Sequence, residues 1–176
     1  YAVEDGAGNA ANQAIRTVNV VDTTVPVITL TGNATVDIEC GNSYGDAGAT
    51  AWDACDGMLT GSITIANPVN TGTPGVYQIT YDVSDSHGNA AAQITRTVNI
   101  TDATPPVISI SGNNVVNVEC GYAYVDAGAT AIDACDGVLN SSIITVNPVN
   151  TTITGAYTIT YNVSDAASNA ATQVTR

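Results

Sequence analysis

The sequence contains no lysine and no phenylalanine, and only one tryptophan, one methionine and one histidine. Its side-chain cations are Arg16, Arg96 and Arg176, set against 16 acidic residues, for a formal net charge of −13. A surface of that sign repels phosphate, which excludes nucleic acid and anionic membranes as partners. Charged residues are nonetheless few, 11% beside 44% hydrophobic ones, and this separates the chain from acidic disordered tails, which lack the apolar residues to build a core. No apolar run resembles a membrane-inserted segment, and no CxxC spacing or histidine cluster marks a zinc or redox centre. The chain starts without Met and inside a repeat, so export signals are expected upstream.

What the sequence has in quantity is Thr, Val, Ile, Ala, Asn and Gly, β-branched residues for strands and Gly and Asn for turns, which predicts an all-β protein. It also repeats itself. Near-copies of one segment open at Tyr1, Tyr81 and Tyr161 and end near Arg16, Arg96 and Arg176, giving a unit of eighty residues. This predicts a terminal hairpin of a preceding repeat at 1–21, one complete repeat at 22–101, and a second at 102–176 with its last strand cut short. Either the segment belongs to a longer array, the preferred reading, or one chain's leading strands complete the next chain's trailing repeat.

Within a unit, Tyr77, Ile79, Tyr81 and Val83 alternate with polar residues, as do Tyr157, Ile159, Tyr161 and Val163, the period of a half-buried strand. A turn at Asp85-Ser86-His87-Gly88-Asn89 leads into a strand from about Ala90 to Ile100. Shorter strands are expected at Val27 to Thr31, Thr35 to Cys40, Ala47 to Trp52 and Ser62 to Ala66, with an edge piece at Pro68 to Thr71. About seven strands per unit make tandem immunoglobulin-like β-sandwiches. The joints, Asp22 to Pro26 and Asp102 to Pro106, are short and carry proline, which stiffens the connection between units.

The segments Thr24 to Gly32, Val36 to Gly57, Gly75 to Asp85 and Gly88 to Ile100 resemble bacterial immunoglobulin-like domains of the hyalin-repeat type. The carrying motifs are Thr-Pro-Pro-Val-Ile, Asp-Ala-Gly-Ala-Thr-Ala, Asp-Ala-Cys-Asp-Gly, Gly-x-Tyr-x-Ile-Thr-Tyr and Gly-Asn, in one order in both units. The chain departs from them at Val25-Pro26 and at Ala167-Ser168-Asn169, changes that touch a joint and a turn. The resemblance implies beads of a large secreted or surface-anchored protein, acting as spacers, adhesin stalks or accessory modules, with no enzyme active site.

The four cysteines fall as Cys40 and Cys55 in one unit and Cys120 and Cys135 in the next. One pair per repeat predicts one disulfide per repeat in an oxidising compartment, worth roughly 3 kcal/mol each, with inter-chain pairing or free thiols as alternatives. Asp22, Asp53, Asp56 and Asp85 recur as Asp102, Asp133, Asp136 and Asp165. If joint, cysteine loop and hairpin turn share a pole, these carboxylates form a calcium site at each joint; otherwise each aspartate caps its own turn. The parity of Arg96 places it inward with Ile94, Val98 and Ile100, so Arg16, Arg96 and Arg176 are read as structural ion-pair residues, with Glu39 or Asp46 as the acid for Arg96. Trp52, matched by Ile132, reads as a packing position, and His87, matched by Ala7 and Ala167, lacks partners for acid-base work. The expected role is a structural stalk or filament that stacks its repeats and self-associates into a fibre. The alternative is an adhesin or carbohydrate-binding module.

Overall fold

A strand that buries every second residue needs a sheet on one side and water on the other, and β6 (Gly75–Asp82) meets that condition, with Ile79 and Tyr81 fully buried. It pairs antiparallel with β7 (Ile94–Thr101), which buries Arg96, Val98 and Ile100 on the same face. The other strands of the first repeat are β1 (Val27–Leu30), β2 (Thr35–Glu39), β3 (Ala49–Asp53), β4 (Gly57–Met58) and β5 (Thr64–Ala66). They form one sheet in the order β1-β3-β4 and a second in the order β2-β7-β6-β5. Ile28 and Ala51 from the first sheet meet Ile79, Tyr81, Val98 and Ile100 from the second, which closes a sandwich core. The computed structural model describes residues 2–176, all of them β, turn or irregular apart from two short 3-10 turns at Thr60–Ser62 and Asn140–Ser142.

The second repeat follows the same plan with β8 (Val107–Ile110), β9 (Ala129–Asp133), β10 (Gly137–Val138), β11 (Ile144–Val146), β12 (Thr160–Asn162) and β13 (Val174–Thr175). One pairing differs. In the first repeat β2 runs parallel to β7, Thr35 opposite Thr97 through Glu39 opposite Thr101. Residues 115–119 of the second repeat form no strand.

Three expectations are corrected. No strand covers 68–71, where Asn67 uses its side chain to accept from the Val69 N–H in a local turn. The third strand of the outer sheet is instead Gly57–Met58, directly after the cysteine loop. β7 starts at Ile94, since the hairpin is first pinned by a bridge between Ser84 and Ala90 and only then becomes a continuous ladder. Trp52 is 58% exposed rather than packed, because its neighbours Ala51 and Asp53 take the inward positions of β3. In the leading segment the structure holds a bridge between Glu4 and Ala10, and residues 11–21 are exposed and without strand. Tyr1 lies outside the described residues.

The turn closing each hairpin is the same in both repeats despite the change from Gly88 to Ser168. Asp85 and Asp165 each donate their N–H to the asparagine carbonyl four residues on, at 3.1 and 3.2 Å. Gly88 takes φ +87°, and Ser168 is held at φ 73°, a left-handed conformation that glycine adopts without strain and serine does not.

Candidate functional site at the inter-repeat junction

Two kinds of polar structure are built into each repeat, one at mid-sandwich and one at the pole facing the preceding joint. At mid-sandwich, Arg96 is 1% exposed and every arm of its guanidinium has a partner. Nε donates to the Asn33 carbonyl at 3.0 Å, NH2 to the carbonyls of Thr31 and Gly48, and NH1 to Asp46. Asp46 also accepts from the hydroxyls of Tyr44 and Tyr81 at 3.1 and 2.8 Å. The guanidinium carbon lies 5.9 Å from the Tyr81 ring centre, a cation over an aromatic face. Arg176 repeats the arrangement with Asp126, Tyr161 and the Ser111 carbonyl. Burial and then the bond to Asp126 push the Tyr161 phenol up to about 12, so it remains a donor across the physiological range. Of the two acids named for Arg96, Asp46 is the partner, and Glu39 accepts instead from the N–H groups of Ala103 and Thr104, anchoring the joint. Among the described residues Arg16 forms no ion pair, so the structure pairs Arg96 and Arg176 but not Arg16.

At the pole, the turn after β9 puts the Asp133 carboxylate under its own loop, where Oδ1 accepts from the N–H groups of Cys135 and Asp136 at 2.7 and 2.9 Å. Asp165 binds the Asn169 side chain and N–H, and Asn169 in turn donates to the Asp102 carbonyl at 3.1 Å. Joint, cysteine loop and hairpin turn therefore meet, and carboxylate oxygens of Asp102, Asp133 and Asp165 lie within 4.8 Å of one another. Asp133 Oδ2 is buried without any hydrogen-bond partner. Burial and then the charges of Asp133 and Asp165 push the Asp102 carboxyl above its ordinary range. Asp136 stands beside the cluster and accepts from the Ala166 N–H at 2.6 Å.

The first repeat has the same pole, with Ser86 and His87 where the second has Ala166 and Ala167. Asp53 accepts from Cys55 and Asp56, Asp56 from the Ser86 N–H and hydroxyl, and Asp85 from Asn89. Thr24 ties the joint to both Asp22 and Asp53. Asp22 Oδ2 is buried and makes no hydrogen bond, but His87 Nδ1 stands 3.5 Å away, so Asp22, Asp85 and His87 converge where the second repeat has carboxylates alone. The role of His87 beside Asp22 was not legible in the sequence, because the two are far apart along the chain.

The cysteines depart from expectation most. Cys40 is bonded to Cys135 of the next repeat, with an S–S distance of 2.06 Å and Cα atoms 5.3 Å apart, while Cys55 and Cys120 are free and exposed. The within-repeat pairs Cys40–Cys55 and Cys120–Cys135 do not form. β2, parallel to β7, carries Cys40 to the pole where β7 ends, and Cys40 donates its N–H to the Thr101 carbonyl there. β3 then returns the chain to the other pole before Cys55, and five residues of strand span roughly 16 Å, more than twice what a disulfide tolerates. Next to the bridge, Gly41 adopts φ +82° and packs so close to Ala134 that an added Cβ would stand 2.9 Å from its carbonyl oxygen. Gly41→Ala is therefore expected to lose about 1–3 kcal/mol through strain and separation of the two repeats. A urea titration checks this, and an unchanged midpoint would show that the contact yields freely.

The model of the bacterial surface protein Ig-like domain family matches residues 28–100 and again 108–176. The chain belongs to that family. Its repeats are also similar to hyalin of Strongylocentrotus purpuratus, 30% identical over 96% of this chain, and to an 81.3 kDa protein of Acholeplasma phage L2, 33% identical over the same share. The chain spans 15% and 24% of the lengths of those two relatives. A lipoprotein of Bacteroides thetaiotaomicron aligns over 80% of this chain and 61% of its own, with TM-score 0.40 and 18% identity. The two repeats of this chain are Ig-like surface-protein domains of hyalin-repeat type.

Proposed function

We propose that this segment is a structural stalk or filament element of an extracellular protein, its Ig-like repeats stacked end to end and fixed at each joint by a disulfide and by calcium. The observation that carries the reading is the Cys40–Cys135 bridge between successive repeats. A bond within a repeat would stabilise one bead; a bond across the joint restrains how two beads sit, which matters when the product is a stiff array. Glu39 holding the start of the next joint and Gly41 packed on Ala134 support the same reading.

Calcium fits the second pole on chemical grounds. A carboxylate oxygen buried without a donor, among two further carboxylates, is costly unless a cation meets it. Asp102, Asp133 and Asp165 would supply hard oxygens, backbone carbonyls and water the rest of the six to eight ligands calcium takes. In the first repeat Asp22 and Asp85 would do so with Asp53 at hand, while His87 competes for the same carboxylate. Calcium at ten times its Kd is expected to raise the melting temperature by roughly 3–6 °C per site. Calorimetry in calcium and in chelator tests this; Asp133→Asn, which keeps the Oδ1 bonds, should remove the shift from the second repeat. Equal melting temperatures with and without calcium would reject the ion.

The alternative, an adhesin or carbohydrate-binding module, has one observation in its favour. Trp52 is exposed on β3 beside Val27 and Met58, a flat apolar face a sugar ring could stack on. The second repeat has Ile132 there, so the face is not a property of every bead. Glycan-array binding that vanishes in Trp52→Ala would favour this reading over the stalk.

A further inference from the structure

His87 is the chain's only histidine, and the first pole sets it against a carboxylate oxygen that the fold leaves unsatisfied. The Asp22 side chain is 4% exposed. Its Oδ1 accepts from the Thr24 N–H and hydroxyl at 3.1 and 2.7 Å, so that oxygen is committed to the turn of the joint. Oδ2 is buried and accepts no hydrogen bond, and Nδ1 of His87 stands 3.5 Å from it. A charge-assisted bond from a ring N–H to a carboxylate closes to about 2.7–2.9 Å. Two ligands that share one ion stay farther apart: at bonds of about 2.1 Å and tetrahedral angles, their atoms are about 3.4 Å from each other.

Ser86 does not join the pair. Its hydroxyl lies 3.2 Å from the same ring nitrogen, but its single proton goes to Asp56 Oδ1 at 2.9 Å. What can join Nδ1 to Asp22 Oδ2 is therefore a proton on the ring or a cation held by both. Asp85 favours the cation, because ligand atoms of Asp22, Asp85 and His87 all lie within 4.8 Å of one another. One proton would offset half of the charge of the two carboxylates, whereas a divalent ion offsets all of it. Asp85 is also oriented as a ligand should be. Its Oδ1 accepts from the N–H groups of His87 and Asn89 at 2.9 and 2.8 Å, and its Oδ2 from the Asn89 side chain at 2.7 Å, which leaves Oδ2 a lone pair. The second pole has Ala167 in place of His87 and offers oxygen alone. That difference sets the class of ion, since calcium takes oxygen ligands and imidazole suits zinc and its neighbours in the transition series.

We propose that the first pole is a zinc site, in which Asp22 Oδ2, Asp85 and His87 Nδ1 bind one ion and water completes a tetrahedron. The inference rests on the reading of the poles as ion-bound joints and changes the ion at one of them: zinc displaces calcium from the first pole and leaves the second to calcium. Bound there, the ion clamps the joint, through Asp22, to the hairpin turn that carries Asp85 and His87. Asn89 already links the same two segments, donating to Asp85 Oδ2 and to the Asp22 carbonyl, the latter at 3.4 Å.

The test is a zinc titration of the whole chain, with Cys55 and Cys120 capped by iodoacetamide so that thiolates do not compete for the ion. Calorimetry gives affinity and stoichiometry, and nitrogen NMR of the imidazole reports the ligand, a single histidine leaving one ring to assign. The expected result is one zinc per chain, bound through Nδ1 while Nε2 keeps its proton. Asp22→Asn, which retains Oδ1 for Thr24, and His87→Ala, at a half-exposed position, should each weaken zinc at least tenfold. Asp133→Asn should leave zinc affinity unchanged, and His87→Ala should leave the calcium response of the second repeat unchanged. A ring whose nitrogen signals do not move at saturating zinc would overturn the proposal, as would undiminished affinity in His87→Ala. If calcium raises the melting temperature and zinc fails to bind His87, only the zinc site is lost; if zinc binds as expected and calcium has no effect, the zinc site stands and the calcium reading fails.

Discussion

Replacing Asp46 with alanine is expected to destabilise the first repeat by about 3–5 kcal/mol, the cost of stranding a buried cation. Arg96 is 1% exposed on the inward face of β7 and cannot reach water without opening the sheet. Its carbonyl partners at Asn33, Thr31 and Gly48 satisfy its N–H groups but carry no charge, so neutralisation depends on Asp46. The substitution also strips the Tyr81 and Tyr44 hydroxyls of their acceptor. Urea titration of the variant should show a lower midpoint at unchanged slope. A loss below about 1 kcal/mol would mean that the pair behaves like a solvated surface bridge. Asp126→Ala should cost less, because Nε of Arg176 already lacks a partner and the rim beside it is open.

The second large effect concerns the bridge. Reducing Cys40–Cys135, or replacing both with alanine, is expected to lower stability by on the order of 4–5 kcal/mol in the chain-entropy description. The size comes from the sequence separation of 95 residues, against 15 for the within-repeat pairing that spacing suggests. Cooperativity should change as well. With the bridge intact, unfolding of one repeat is felt by the other; without it the repeats should melt as separate transitions, joined only by Glu39, Gly41 and the linker. Calorimetry of oxidised and reduced protein reads both effects. Superimposable traces would show that the bridge does not form in solution.

Several structural features could be read in advance from particular residues. The alternation of Tyr77, Ile79, Tyr81 and Val83 gave away a half-buried strand because side-chain direction reverses at every residue, whatever the neighbours. The same parity turned Arg96 inward, and an inward arginine demands an acid, so a buried ion pair could be anticipated, although not that Tyr44 and Tyr81 would share its carboxylate. The recurring aspartates left two readings open, a shared pole or separate turn caps, and the fold shows both: Asp133 and Asp165 accept from N–H groups of their own turns, and Asp102, Asp133 and Asp165 lie together. What failed is equally specific. Trp52 turned outward because Ala51 and Asp53 claimed the core side of β3, a choice of parity that residue size did not reveal.

The sequence alone therefore determined the repeat, the strand content, the sign of the surface and the residues that must be satisfied in the interior, since these follow from local alternation and from the cost of burying charge. Only the tertiary structure decided which cysteine meets which. Disulfide choice depends on the pole at which each loop emerges, and that is set by β2 running parallel to β7 and by β3 reversing the chain, pairings between residues far apart in sequence. Fifteen residues of spacing brought Cys40 and Cys55 to opposite ends of one bead, while ninety-five brought Cys40 and Cys135 within bonding distance across a joint.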